Sequence, residues 1–199
     1  MSKNKWDERF SNAQYIYGKT PNEFIRTKSN FLPDHVKVGC FAEGEGRNAV
    51  YLATRGHDVT AYDLSTTGLE KTKQLAAECD VIVDTVAMDL TTDYVEKAQF
   101  DAAVMVFGHV PKEKQRFFIE NIVDSVTSGG YVMLEVYSDQ QLEYKTGGPQ
   151  AIDMLYRLTD LLEWLKPYKF LHFYYGEATR HEGSGHTGLG HVIQVVIQK

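Results

Sequence analysis

V-K-V-G-C-F-A-E-G-E-G-R-N, Val36 to Asn48, is the stretch on which the fold turns. Val36 to Ala42 reads as a buried strand, two glycines break it, and the residues from about Arg47 to Arg55 read as a helix. Gly56 stands where a helix C-terminus takes a left-handed residue. A glycine turn between strand and helix usually holds a phosphate. This one carries Glu43 and Glu45 where a phosphate turn is neutral or basic.

The same alternation continues along the chain. Asp58 to Leu64 reads as a second strand, and Thr67 with Glu70 gives a capping-box pattern for a helix to about Glu78. Val81 to Met88 and Phe100 to Phe107 read as the third and fourth strands. Beyond Pro111, the spacing of Phe118, Ile119, Ile122, Val123 and Val126 predicts a helix, ended by Ser128-Gly129-Gly130, and Tyr131 to Tyr137 reads as a fifth strand. Ile152, Leu155, Tyr156, Leu162 and Leu165 predict one more amphipathic helix, closed by Pro167. Tyr168 to Thr179 and His191 to Ile197 read as a terminal hairpin around a loop containing Gly and His. Alternating strands and helices imply a doubly wound α/β fold, a mostly parallel sheet covered on both faces. The 199 residues fit one domain, 1–199, with a core over 36–199 and an N-terminal segment over 1–30.

Bulk composition narrows the partners. Hydrophobic residues make up 43% and charged residues 24%, and the net charge of -6 comes with scattered basic residues. That leaves no footprint for nucleic acid or an anionic membrane and favours a small-molecule partner. Neither Cys40 nor Cys79 belongs to a C-x-x-C pair, so a reducing compartment is expected. With no apolar run at the N-terminus and no membrane-span window, a cytoplasmic location is the expectation.

Ligands of an open parallel sheet bind beyond the carboxyl ends of the strands, near the point where strand order reverses. Four segments fall there: Glu43 to Asn48, Asp63-Leu64, Met88-Asp89-Leu90 and Phe107-Gly108-His109. Gly44 and Gly46 allow close backbone approach, and Arg47 and Asn48 open a helix with free N–H groups, though a plain tight turn would look the same. Asp63 reads as an acceptor for the two hydroxyls of an adenosine ribose or as a helix cap. Ser65, Thr66 and Thr67 can cap that helix and leave Asp63 free. Asp89, flanked by Met88 and Leu90, suits an adenine ring or is a solvated turn residue. A pyrophosphate at the first turn would be repelled by Glu43 and Glu45. S-adenosylmethionine (SAM), which has cationic groups and no phosphate, fits better than a nicotinamide dinucleotide. An NAD-dependent oxidoreductase with an atypical fingerprint and a SAM-binding protein without turnover stay as alternatives.

Val36 to Ser65 resembles the cofactor motif of class I SAM-dependent methyltransferases, and E-G-E-G-R-N resembles the branch of the TehB tellurite-resistance and thiopurine methyltransferases. F-D-A-A-V-M-V-F-G-H-V-P, S-G-G-Y-V-M-L-E, T-G-G-P and H-E-G-S-G-H-T-G extend the resemblance to His181–Gly188. The resemblance implies a Rossmann-like sheet of seven strands whose last strand enters antiparallel. It implies Glu43, Gly44 and Gly46 at the methionine end of SAM, Asp63 at the ribose and Asp89 near the adenine. Ala42 departs from it, since the family often has a glycine there.

The methyl acceptor implied is a small molecule such as a thiol or a chalcogen oxyanion. A hydroxyl or amine acceptor would need a base, commonly a histidine. His109, after the fourth strand, and His186, in H-E-G-S-G-H, are the candidates for catalysis or acceptor contact. The histidines of that loop are not spaced as on a metal-binding helix, so no metal is expected. Trp6, Phe10, Tyr15 and Tyr17 read as pocket wall under a lid or as packing on the outside of the sheet. Tyr144 and Gly147-Gly148-Pro149 read as a second wall of the acceptor pocket.

Overall fold

The structure, a computed structural model, describes residues 3–199; Met1 and Ser2 of the expected N-terminal segment lie outside the described residues. A seven-stranded sheet has the order β3-β2-β1-β4-β5-β7-β6. Its strands are β1 (Lys37–Phe41), β2 (Asp58–Asp63), β3 (Asp84–Ala87), β4 (Phe100–Val106), β5 (Val126–Tyr137), β6 (Lys169–Glu182) and β7 (His186–Gln198). β1 to β5 are parallel, while β7 runs antiparallel between β5 and β6, as the terminal hairpin implied.

Strands buried on both faces distribute their side chains alternately. Along β4, Ala102 and Val104 join Val38, Cys40, Val59 and Ala61 on one face. This face is covered by α2 (Glu23–Lys28), α3 (Arg47–Thr54) and α4 (Thr66–Glu78). Ala103 and Met105 join Phe41, Tyr62, Leu134 and Ile193 on the other, under α5 (Lys112–Asp124) and α6 (Leu158–Leu165). Cys40 is a fully buried free thiol. The order in which strands are added reverses between β1 and β4, so a crevice opens beyond their carboxyl ends. An N-terminal helix, α1 (Lys3–Phe10), lies over that crevice. Asp7 fastens it by accepting hydrogen bonds from the Ser65 hydroxyl (2.6 Å) and the Thr67 amide (3.1 Å).

Several elements differ from the sequence reading. Ser65, not Thr67, caps α4, accepting from the Gly68 amide, because the helix already begins at Thr66 and leaves Thr67 inside its first turn. β3 is confined to Asp84–Ala87, and β5 already begins at Val126. The expected helix from Ile152 divides into a 3-10 turn (Ile152–Met154), an extended link and α6. Tyr156 is the reason: its amide donates to Tyr137 O at 3.1 Å and its hydroxyl to Gly108 O at 2.8 Å, which holds the link extended. The terminal hairpin lacks the long loop expected. Pairing runs out to Glu182 and His186, so both flank a turn of Gly183, Ser184 and Gly185.

Gly46 shows how tightly the first turn is set. Its φ is +91°, and a Cβ there would stand 2.7 Å from the Thr72 side chain and 2.8 Å from Thr72 Cα. Gly46→Ala is expected to cost about 2–4 kcal/mol of folding stability from left-handed strain and overpacking, read by urea denaturation.

Candidate functional site

The crevice is a cavity of about 620 Å³. Its floor is the residues that follow the parallel strands: Glu43 and Gly44, Asp63 and Leu64, Met88 to Leu90, and Phe107 to His109. Arg47 and Asn48 border it from α3, Trp6 and Phe10 roof it from α1, and Tyr17, Gly148, Pro149, Met154 and His186 close the sides. Four segments separated in sequence meet here as the strand-end rule requires. Ala42 (φ 51°) and Phe107 (φ 56°), at the ends of β1 and β4, are both left-handed. A non-glycine residue in that region costs about 1–2 kcal/mol, and at Ala42 it occupies the position where the resembling family often has glycine.

The acidic turn is differently built than its sequence suggests. Glu45 leaves the cavity: it is buried against Lys71 (2.5 Å) and accepts from the Ile16 amide (2.9 Å), so its charge is neutralised within the protein. Gly46 also lies outside the lining, its role being to let α4 approach. Glu43 does face the cavity, but its Oε1 accepts from the Asn48 amide at 2.9 Å and the Ala49 amide at 2.8 Å. Two of the N–H groups expected to be free at the start of α3, those of Asn48 and Ala49, are therefore already capped. Its Oε2 has no hydrogen bond among the described residues and remains for a cationic ligand group. Burial pushes the Glu43 carboxyl up to about 7, against the pull of those two amides and Arg47.

Asp63 is divided between two tasks. Its Oδ2 accepts from the Gly44 amide (2.9 Å) and its Oδ1 from the Ser65 amide (2.8 Å). It therefore shapes the turn while lining the cavity, and each oxygen keeps a further lone pair. Burial raises its carboxyl to about 6. Asp89 Oδ1 accepts from the Thr91 amide and hydroxyl, which fixes the strand-end loop between the apolar side chains of Met88 and Leu90.

The two histidines part company. His109 Nδ1 sits 2.8 Å from Met154 O, and its Nε2 accepts from the Tyr137 amide at 3.2 Å. A carbonyl on one nitrogen and an N–H on the other fix a neutral ring with its proton on Nδ1, and burial drives it down to about 4. With neither nitrogen available, His109 is a wall of the cavity and not the base expected. His186 instead stands at the cavity side within a run of rings. It lies 4.5 Å from Tyr17 and 4.6 Å from Phe107 between centroids. His181 points outward and is exposed.

Two expected wall residues are elsewhere. Tyr15 lies behind the turn, its hydroxyl donating to Lys71 O and its ring under the Lys19 and Lys71 ammonium groups. Tyr144 hydrogen-bonds Glu177 on the outer surface. Gly147 abuts Tyr137 and is not part of the lining, whereas Gly148 and Pro149 are.

Sequence reading missed a buried ionic cluster behind His186. Glu135 on β5 is fully buried and pairs with Arg180 on β6. Arg47 reaches Glu182 at 2.7 Å, and Asn22 donates to both glutamates. The only signal was a glutamate inside an otherwise apolar strand, Y-V-M-L-E-V-Y, which demands a buried cation.

Residues 37–130 match the family model described as a methyltransferase domain. Over those residues the chain is similar to that family. Over 138 residues it is 23% identical to the probable S-adenosyl-L-methionine-dependent methyltransferase TehB of Haemophilus influenzae, covering 68% of this chain and 46% of that protein. The chain thus spans under half the length of the curated relatives it matches. In structure the chain resembles TehB from Haemophilus influenzae, with a TM-score of 0.76, 16% identity and coverage of 99% of this chain and 66% of the other. It also resembles the N-methyltransferase NodS from Bradyrhizobium japonicum, a structure in complex with S-adenosyl-L-homocysteine. There the TM-score is 0.73, with 11% identity and coverage of 99% and 97%. These likenesses fix the fold as the TehB-like α/β methyltransferase fold. Among the described residues, no helix is long and apolar enough to cross a membrane.

Glu43 gives this domain a pH signature. The folded protein keeps the Glu43 proton to about 7, well above its ordinary value of 4.5, so folding stability from that site is full below 4.5 and is lost as pH rises through 7. Relative to Glu43→Gln, the unliganded wild type is therefore expected to lose stability across that window and level off above it. Denaturant titrations of both proteins at stepped pH measure the difference.

Proposed function

We propose that this chain is a SAM-dependent methyltransferase acting on a small molecule. The observation that carries this reading is the division of the strand-end cavity. A carboxylate with spare lone pairs, Asp63, stands beside an apolar slot at Leu64, Met88 and Leu90, and the unpaired Glu43 oxygen lies next to Gly44. Those three features suit a ribose, an adenine and a cationic amino-acid end, and the Gly44, Asn48 and Ala49 amides that would meet a pyrophosphate at the first turn are already engaged by carboxylates. The half-buried Asp89 belongs to the adenine side and Phe107 to the middle of the site. Arg47 is engaged by Glu182, which leaves the Gly44 turn and Asn48 as the nearer partners on the methionine side.

When bound, SAM supplies a methyl group on a sulfonium: the acceptor's lone pair bonds to the carbon, and the electron pair of the breaking bond stays on sulfur. The protein's part is alignment and exclusion of water. Trp6, Phe10 and Tyr17 roof the cavity, with Trp6 and Phe10 stacked at 5.5 Å. An aromatic roof also favours a sulfonium by cation–π attraction. The acceptor belongs beside Tyr17, His186, Pro149 and Met154, and the resemblance to TehB makes thiols and chalcogen oxyanions the first compounds to try.

Calorimetry with SAM, S-adenosylhomocysteine and NAD tests the reading. SAM and S-adenosylhomocysteine are expected to bind and NAD is not; binding of NAD alone would overturn it. Asp63→Asn is expected to weaken SAM binding at least about tenfold, the effect of losing charged hydrogen bonds to the ribose. Circular dichroism of the variant checks that the turn still folds, and unchanged affinity would place the ribose elsewhere.

A further inference from the structure

We infer that His186 is the general base of the acceptor site, that Glu182 is its positioning residue, and that the acceptor carries a proton on its nucleophilic atom, a thiol foremost. This rests on the methyl-transfer reading above and deepens it: a thiol, hydroxyl or amine must lose a proton on methylation, whereas a chalcogen oxyanion attacking through a lone pair need not.

The argument begins with the two ring nitrogens. His186 Nδ1 is sealed from solvent without a hydrogen bond, and the acceptor nearest it is Glu182 Oε2 at 3.9 Å. Nε2 is not sealed in this way and has no hydrogen bond among the described residues, and the ring lines the cavity. A proton on Nδ1 meets the carboxylate and leaves the Nε2 lone pair facing the acceptor space. The opposite tautomer would turn a lone pair toward a buried anion. The 3.9 Å separation is too long for a hydrogen bond, and such contacts often tighten when a ligand fills the site.

Glu182 is built to hold that orientation. Burial by itself would raise its carboxyl, but His186 and the Arg47 and Arg180 guanidiniums outweigh burial and bring it down to about 2. Asn22 Nδ2 donates to its Oε1 at 3.0 Å. Two arginines and two glutamates make the cluster neutral, so one proton on His186 adds a single positive charge beside an anion. The charged and titratable groups facing the ring are Glu182 from β6, Arg47 from α3, Arg9 from α1, Tyr17, Tyr137 from β5 and His109. Burial lowers the imidazole, Arg47 and Arg9 act the same way, and Glu182 opposes them. A neutral, oriented imidazole is the state a general base needs. The acceptor's proton moves to Nε2 as its lone pair forms the new bond to carbon, and His186 then releases that proton to water.

Two measurements decide it. Nitrogen-resolved NMR of histidine-labelled protein, from about pH 5 to about pH 9, reads the tautomer without any acceptor. The expected result is a neutral His186 protonated on Nδ1, with Glu182→Gln lowering its titration point and mixing the tautomers. A proton on Nε2 in the wild type would overturn the proposal. Methyl transfer from labelled SAM is then compared for dithiothreitol, selenite and tellurite. Transfer to dithiothreitol is expected, rising with pH, and falling at least about 100-fold in His186→Gln while SAM affinity in calorimetry is kept. Glu182→Gln is expected to lower kcat and displace the pH limb with KM kept. Transfer to selenite or tellurite but not to dithiothreitol, or undiminished transfer to dithiothreitol in a folded His186→Gln, overturns the proposal. So does a wild type that binds SAM and methylates none of the three. Failure of the wild type to bind SAM would instead overturn the methyl-transfer reading, and the tautomer measurement still tests the pair by itself.

Discussion

Two carboxylates, Glu135 and Glu182, are sealed inside this molecule, and an unpaired buried charge costs several kcal/mol. Much of the functional end of the fold answers that constraint. Arg180 must stand on the strand that reaches Glu135, Arg47 must start the helix that reaches Glu182, and Asn22 must bridge both. The cluster thereby joins β5, the terminal hairpin, α3 and the N-terminal segment at one point behind the cavity. Breaking one partner would strand another, so these elements hold their places together.

The same logic of pairing governs the glycine turn. Glu43 caps α3, Glu45 neutralises Lys71, and Asp63 ties Gly44 to Ser65. Each acid serves the protein first, and what a ligand meets is the remainder: one free Glu43 oxygen and the outer lone pairs of Asp63. The preference against a phosphate expected from the sequence therefore rests on two carboxylates facing the cavity and on amides already occupied. Glu45 contributes nothing to it, although the bare sequence gives it equal weight.

How much of this was legible follows from the range of each signal. Strand ends and helix starts are local, so the sheet, its order of elements and the converging segments at Asp63, Met88 and Phe107 could be read from alternation and glycine breaks. The direction of a side chain in a turn is not local. Glu45 faces away because Lys71, on a different helix, is there to receive it, and Tyr15 follows it to the same side. His109 looked like a base because its position is right, yet Met154 and the Tyr137 amide take both nitrogens from distant segments. Glu182 was passed over as one more polar residue of a loop. Only the pairing of β6 with β7 out to Glu182 and His186 turns that stretch into a strand end and aims it inward. Tyr156 broke an expected helix for the same reason, a hydrogen bond to Gly108 that no window of sequence contains.

The tip of the hairpin adds a consequence of a different kind. Gly185 donates its amide to Ile16 O at 3.0 Å, and a Cβ on Gly183 would stand 2.2 Å from that same oxygen. Hairpin turns are ordinarily where a chain tolerates inserted residues, but this one is wedged against the segment Ile16 to Gly18. Its length is set by the segment it touches, so natural variation in the two should be correlated. The order of assembly is affected as well. Contacts between such distant parts of a chain form late, after the loop-closure entropy has been overcome. The cavity is enclosed only when β6 and β7 dock on the segment around Tyr17, which makes the finished pocket a property of segments far apart in sequence and not of the glycine motif alone.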